Sequence, residues 1–352
     1  MKKQDNILVF TTLNTYGGGS RYNIELIKYF EKNRKDINII KEVGQNTPTN
    51  ILCKKTVGKF RYLKKYKIIH NPGVLISKPF VISKNAILIS TAYEFQTLLY
   101  PNIEQKYSSL SFKSFFYKLL LELPSLKIQL NSDYLISIST QTKEEAVKLG
   151  YEKNKIFVIN LGLDDRFIKY PNKEKEHKEF KVGYISTIRY RKGLHRLAYL
   201  IDYVDKDIKF EVYGKIINKE YFNKIVRKLI NSEKFLFRGI APEDKIVDIY
   251  DSFDVFIFPS LYEGFGLEIL EAQSRGLPVI IYKNSKIPKE VRKYCFEAES
   301  QEHMAQIIEH IKKNGYNEKL QKKATAYARS FTWERCARET LEVYKKVYNR
   351  YC

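Results

Sequence analysis

Asp254-Val255-Phe256-Ile257-Phe258-Pro259-Ser260-Leu261-Tyr262-Glu263-Gly264-Phe265-Gly266-Leu267-Glu268-Ile269-Leu270-Glu271 is the stretch that decides the fold. The apolar run Val255 to Phe258 has the length and the β-branched and aromatic content of a strand buried on both faces. Pro259 ends it, Gly264 and Gly266 turn the chain, and a helical pattern starts at Leu267. Glycines at such a turn let the backbone approach a ligand closely, and the helix start offers unpaired amides to an anion. Glu263 stands before the turn and Glu271 within the helix.

The same alternation of short apolar run and helical segment extends in both directions. Upstream, Asn6–Thr12, Ile37–Ile40, Lys67–His70, Ala86–Thr91, Tyr134–Ser139 and Ile156–Asn160 are candidate strands, and Ile24, Ile27 and Phe30 mark a helix of period 3.6. Downstream are Phe180–Ile185, Lys209–Tyr213, Phe235–Phe237, Val255–Phe258 and Val279–Tyr282. Tyr170–Glu179 is dense in charge and lacks apolar periodicity, as a solvated linker would be. The expectation is α/β with two Rossmann-like doubly wound domains facing across a cleft, residues 1–168 and 178–334, with ligands at the carboxyl ends of the strands.

Composition agrees with two domains. A chain of 352 residues exceeds what one core usually organises, and 44% apolar with 14% aromatic residues can bury real cores. The formal charge of +22 favours anionic partners such as nucleic acid, acidic lipid or phosphorylated substrates, and no basic tail concentrates it. Cys53, Cys295, Cys336 and Cys352 are far apart, so neither a disulfide framework nor a zinc site is expected, in keeping with a reducing compartment. The start has no signal-peptide pattern, and no apolar stretch reaches the roughly 18 to 20 residues of a membrane helix. A cytoplasmic protein, peripheral on the inner face of the membrane at most, is expected.

At the strand ends the residue types suit a nucleotide sugar. Glu263 and Glu271 can each accept hydrogen bonds from hydroxyls, one on the sugar ring and one on the ribose. A fixed cation beside them would suit a diphosphate, whose charge grows as the glycosidic bond breaks. The segment Pro259 to Ala272, continuing to Gly276-Leu277-Pro278-Val279, resembles the donor-site signature of the family 4 retaining glycosyltransferases (glycosyltransferase group 1 type), which have the GT-B fold; its two glutamates have seven residues between them, as in that family. The resemblance extends over most of the chain. Gly183 to Gly193 is similar to the family's phosphate-binding segment, and Ile159-Asn160-Leu161-Gly162-Leu163-Asp164 with Phe167 to its crossing between domains. Phe331-Thr332-Trp333-Glu334 and the last helix resemble the C-terminal segment, which implies that a helix at about 335–352 packs back on the N-terminal domain.

The resemblance implies a donor site of Gly17, Gly18 and Gly19 after the first strand together with Lys192, Ser260, Glu263, Gly264, Phe265, Gly266, Leu267 and Glu271. Two departures stand out. The family usually carries an arginine five residues before the lysine; here that position is Thr187, and Arg189 or Arg191 is the alternative guanidinium, a solvated surface charge being the other reading. Many relatives carry a histidine where this chain has Thr91-Ala92-Tyr93-Glu94-Phe95. Tyr93 is its candidate replacement, with Glu94 and His70 as further acceptor-side candidates, although a partner-satisfied structural histidine fits His70 as well.

No metal is expected; Asp164-Asp165 fits the capping of a turn better than a cation site. The resemblance implies retention by front-face attack without a cofactor, with UDP-, GDP-, ADP- or dTDP-linked sugar as co-substrate and a glycan or lipid-linked hydroxyl as acceptor. Lys54 to Lys67, with seven basic and no acidic residues, and the Phe- and Leu-rich stretch Phe112 to Leu123 are a candidate contact with anionic membrane. Two alternatives stay open: a sugar-nucleotide epimerase of the same architecture, and a basic nucleic-acid-binding protein. For the latter no recognition module is present, so no nucleic acid is expected.

Overall fold

The computed structural model describes residues 7–12, 18–34, 37–42, 66–71, 86–100, 103, 130–171, 179–229 and 232–351. They fall into two compact units, one drawn from 1–99, 110–162 and 332–352, the other from 163–331 together with Tyr100. The first thus runs to residue 162 and takes in the C-terminal helix from Trp333.

In the first unit β1 (Ile7–Thr12), β2 (Asn38–Glu42), β3 (Ile68–Asn71), β4 (Ile87–Ala92), β5 (Tyr134–Ser137) and β6 (Ile156–Val158) form one parallel sheet in the order β2-β1-β3-β4-β5-β6. All six residues of β4 are buried, as a central parallel strand covered on both faces requires. β5 ends two residues earlier than the apolar run suggests, because Ser139 leaves the ladder to cap the helix Thr140–Lys148, its hydroxyl accepting from the Thr142 amide at 3.1 Å. The glycine loop after β1 is likewise shorter than expected. Gly18 and Gly19 already belong to the helix Gly18–Asn33, whose first turn has no intrahelical partner for its amides and tolerates glycine. Gly17 lies outside the described residues. That helix buries Tyr22, Leu26, Ile27 and Phe30, whereas Ile24, expected on the same face, is half-buried.

The C-terminal helix Trp333–Tyr351 packs within this unit. Tyr344 lies 6.1 Å from the Phe30 ring and Trp333 6.4 Å from Tyr22, centroid to centroid. No helix among the described residues is long and apolar enough to cross a membrane. The expected membrane-contact segments, residues 54–65 and 112–123, lie outside the described residues; Lys67 at the end of the first stands 5.4 Å from the centroid of the Tyr348 ring.

In the second unit β7 (Phe180–Ile185), β8 (Ile208–Tyr213), β9 (Phe235–Gly239), β10 (Val255–Ile257), β11 (Val279–Tyr282) and β12 (Phe296–Ala298) form a second parallel sheet, in the order β12-β11-β10-β7-β8-β9. β12 is the strand the sequence hides: three residues, Phe-Glu-Ala, with only Ala298 fully buried, pairing on one side as an edge. Its core gathers Val182, Tyr184, Leu197, Phe210, Val212, Val255, Ile257 and Ile280 with Met304 and Ile308 of the helix Gln301–Asn314.

Candidate active site

The second sheet reverses direction between β7 and β10: from β7 the chain crosses to β8 on one side and later to β10 on the other. Outside the carboxyl ends of two such strands a doubly wound sheet leaves a crevice. The loops there are Ser186–Gly193 and Phe258–Gly266, and the structure stitches them together. The Leu261 amide donates to the Arg191 carbonyl at 2.8 Å. Gly193 has φ of 78°, and a Cβ there would run into the Pro259 carbonyl, so both conformation and space demand glycine. The loop after β11 joins from the other side. The Glu263 amide donates to the Lys286 carbonyl at 2.8 Å, the Lys286 amide to that of Leu261 at 3.0 Å, and the Ser285 hydroxyl to that of Ser260 at 2.5 Å.

On this frame Lys192 and Glu263 meet. Lys192 Nζ lies 2.7 Å from Glu263 Oε1 and 3.1 Å from Glu268 Oε1. The Ser260 hydroxyl faces three acceptors with one hydrogen: Glu263 Oε1 at 2.6 Å, the Tyr262 carbonyl at 3.1 Å and the Arg191 carbonyl at 3.2 Å. The charged and nearest acceptor takes it. Ser186 Oγ donates to Glu268 Oε1 at 3.2 Å. Burial alone would drive the Lys192 ammonium toward neutrality, but Glu263 and Glu268 outweigh it and raise its pKa. Burial likewise works against the Glu268 carboxylate, and Lys192 overrides that to hold it below the ordinary value. One ammonium thus faces two carboxyl groups.

Glu271 sits one turn further along the helix Leu267–Ser274, buried, its Oε2 accepting from the fully buried Tyr250 hydroxyl at 2.9 Å. Gly266, with φ of 101°, is the left-handed residue from which that helix starts. Gly264, Phe265 and Leu267 are buried around it. Arg189 is half-buried and Arg191 buried on the short turn Tyr190–Lys192, and Thr187 is exposed.

The remaining candidates lie in the first unit. His70 is fully buried, with Nε2 2.8 Å from Thr91 Oγ1 and Nδ1 2.5 Å from the Tyr344 hydroxyl; burial pushes its pKa down to about 3. Both nitrogens are engaged inside the protein. Tyr93 is half-buried and donates to Asn23 Oδ1 at 3.2 Å, and Glu94 beside it is half-buried too. Asp164 caps the helix Asp165–Lys169, its Oδ1 accepting from the Arg166 amide at 2.9 Å, and pairs with the Arg166 guanidinium.

The sequence does not single out Glu268 and Ser186. An acid in the first turn of a helix, three residues ahead of Glu271, is the available hint for Glu268; for Ser186 there is none, because its partner stands 82 positions away.

Similarity to known proteins runs the same way. Residues 165–331 match the family profile "Glycosyl transferases group 1". Over 240 residues the chain is 31% identical to an Escherichia coli protein named O-antigen chain mannosyltransferase B, covering 63% of each. Over 251 residues it is 28% identical to a probable sucrose-phosphate synthase of Thermosipho melanesiensis, covering 65% of this chain and 58% of that one. The chain thus spans about 60% of the length of these curated relatives. Among solved structures, a Rickettsia africae glycosyltransferase superposes with a TM-score of 0.69 at 19% identity, covering 98% of this chain and 99% of that one. Anabaena HepE in complex with UDP-glucose superposes at 0.71 and 16%, covering 97% and 99%. The fold class is α/β of the GT-B type, with two Rossmann-like parallel sheets.

Proposed function

We propose that the protein is a retaining, family 4 glycosyltransferase that moves a hexosyl or related sugar from a nucleoside diphosphate sugar to a hydroxyl of a glycan or lipid-linked acceptor. The observation that carries the reading is the buried Lys192 held between Glu263 and Glu268 where the second sheet reverses. The unit of residues 163–331 is the donor domain, and the unit containing Tyr93 and Glu94 is the acceptor domain. Lys192 neutralises the diphosphate, with Arg189 or Arg191 adding a guanidinium, Glu263 orients the sugar hydroxyls, and Glu271, fixed by Tyr250, takes the ribose. The bond from the anomeric carbon to the phosphate oxygen breaks, the acceptor oxygen adds on the same face, and its proton passes to the departing phosphate oxygen. Lys192 stabilises the charge that develops there, a task that needs no metal. The reaction takes place on the cytoplasmic side, where the basic N-terminal segment meets anionic lipid.

The test is a thermal-shift and calorimetry screen against UDP-, GDP-, ADP- and dTDP-linked sugars, because a ligand that binds only the folded state raises its melting temperature. One nucleotide should stabilise the wild type and fail to stabilise Glu271→Ala, and its sugar should appear on an acceptor with the donor's anomeric configuration. Binding of none of the four, or isomerised donor without an acceptor, overturns the reading.

A further inference from the structure

Glu268 occupies the place where a bound anion is wanted. A phosphate oxygen at this site would meet an ammonium, a hydroxyl and an amide at a helix start. The Glu268 carboxylate already has one of each: Lys192 Nζ at 3.1 Å, Ser186 Oγ at 3.2 Å, and its own backbone amide in the first turn of the helix Leu267–Ser274.

The two carboxylates on Lys192 are not equivalent. Glu263 is fastened by the Ser260 hydroxyl at 2.6 Å and its side chain is 7% exposed. Glu268 has a weaker hydroxyl contact and a side chain 25% exposed, so it has solvent to swing into. A diphosphate approaching Lys192 meets two carboxylates around one ammonium, a local excess of negative charge that opposes it. Moving Glu268 outward removes that excess and frees all three donors at once.

Resting on the donor-site reading above, we propose that Glu268 is a built-in stand-in for the donor's diphosphate, one that keeps Lys192, Ser186 and the first-turn amide preorganised in the empty enzyme and is displaced when the nucleotide binds. Holding the donors in place keeps the Lys192 ammonium and the Ser186 hydroxyl directed at the site before a ligand arrives. The cost falls on affinity, since each bound nucleotide must expel a charged competitor. The device also selects for charge: a diphosphate displaces a single carboxylate, and an uncharged nucleoside gains nothing by doing so.

Glu268→Gln removes the competitor's charge at nearly constant size, and Glu268→Ala removes the side chain. Calorimetric titration of wild type and both variants with UDP, GDP, ADP and dTDP, and with the matching nucleosides, reads the effect. The diphosphate that binds the wild type should bind both variants about tenfold more tightly, the equivalent of ~1.4 kcal/mol. The nucleoside's affinity should stay unchanged, and the gain should shrink at high salt. If the wild type binds a diphosphate and the variants bind it equally or more weakly, Glu268 serves to position Lys192 and the proposal is overturned alone. A wild type that binds none of the four overturns the donor-site reading and this one with it.

Discussion

Lys192→Met removes the one cation from between two acids and keeps a chain of similar length. Glu263 Oε1 and Glu268 Oε1 lie 2.7 Å and 3.1 Å from the same nitrogen, so the two carboxylate oxygens stand within about 6 Å of each other. At an effective dielectric constant near 20, two like charges at that distance repel by about 3 kcal/mol. Lys192 and Glu263 are nearly enclosed, with side chains 8% and 7% exposed, so solvent screens little of this; Glu268, at 25%, can escape part of it. Removing one member of a buried pair typically costs about 3–5 kcal/mol. For a unit of this size each kcal/mol lowers the melting temperature by about 2–4 °C, so a fall of at least ~6 °C is expected at pH 7.

The sign of the pH dependence distinguishes this cause from lost packing. In the wild type the Glu268 carboxyl is held below its ordinary value, so its contribution is present above that value and fades as pH falls through the depressed one. In the variant repulsion and burial push the Glu268 carboxyl upward, so the folded form takes up a proton before the unfolded one does. The variant therefore recovers stability relative to wild type as the pH falls, and the gap in melting temperature should be widest at pH 7 and narrow toward pH 4. Calorimetric melting of both proteins from pH 7 to pH 4 measures it. A gap that stays constant with pH would refute the electrostatic account.

Tyr250→Phe leaves the Glu271 carboxylate without its 2.9 Å donor; denaturation should show a loss of about 1–3 kcal/mol, and nucleotide titration a weaker fit. Gly193→Ala should destabilise more than Gly266→Ala: both force a side chain to positive φ, at about 1–2 kcal/mol, but at Gly193 the new Cβ also meets the Pro259 carbonyl, whereas at Gly266 it has only ordinary contacts. Comparing the two melting temperatures checks the order. His70, with its pKa depressed to about 3, stays neutral in the folded protein while the unfolded chain protonates near 6.5, so stability should fall as pH drops from 6.5 toward 3; His70→Gln should show a flatter pH profile.

The fold was legible because parallel strands buried on both faces are near-continuous apolar runs, as β3, β4, β5, β10 and β11 are, every residue of which is buried. β12 escaped because an edge strand of Phe-Glu-Ala has no run to show. The positions of Glu263 and Glu271 around a strand end and helix start were legible for a different reason, the glycine turn and apolar flank that mark them, whereas Lys192 was singled out by the resemblance of its segment to a family motif. What the sequence concealed were the partners. Ser186 reaches Glu268, Tyr250 reaches Glu271 and Tyr344 reaches His70 across 82, 21 and 274 positions, and one-dimensional spacing carries no trace of a contact made by the folding of a sheet. His70 shows the consequence. Its place near a strand end suited a ligand, and only the two hydroxyls packed against it reveal an imidazole engaged on both sides.

The placement of Glu271 depends on more than its own helix. The short helix Ile246–Asp251 ends in Tyr250 and Asp251, and these adjacent residues grip the helix Leu267–Ser274 at two points. Tyr250 holds Glu271 within it, and Asp251 holds Arg275 just past its end through two contacts of 2.7 Å, Nε to Oδ1 and the guanidinium NH2 to Oδ2. The guanidinium also donates to the carbonyls of Tyr170 and Pro171 at 2.8 and 2.7 Å, and none of the Arg275 side chain reaches solvent. The helix is buried on nearly every face, and Thr325 Oγ1 and Arg329 Nε donate to its Gln273 and Ser274 carbonyls at 3.0 and 3.1 Å. A planar, bidentate pair beyond its end fixes rotation as well as position, because the fork of a guanidinium meets a carboxylate in one orientation. Buried ion pairs add little net stability, so this one contributes registry: together with those contacts it fixes the azimuth from which Glu268 faces Lys192 and Glu271 faces Tyr250.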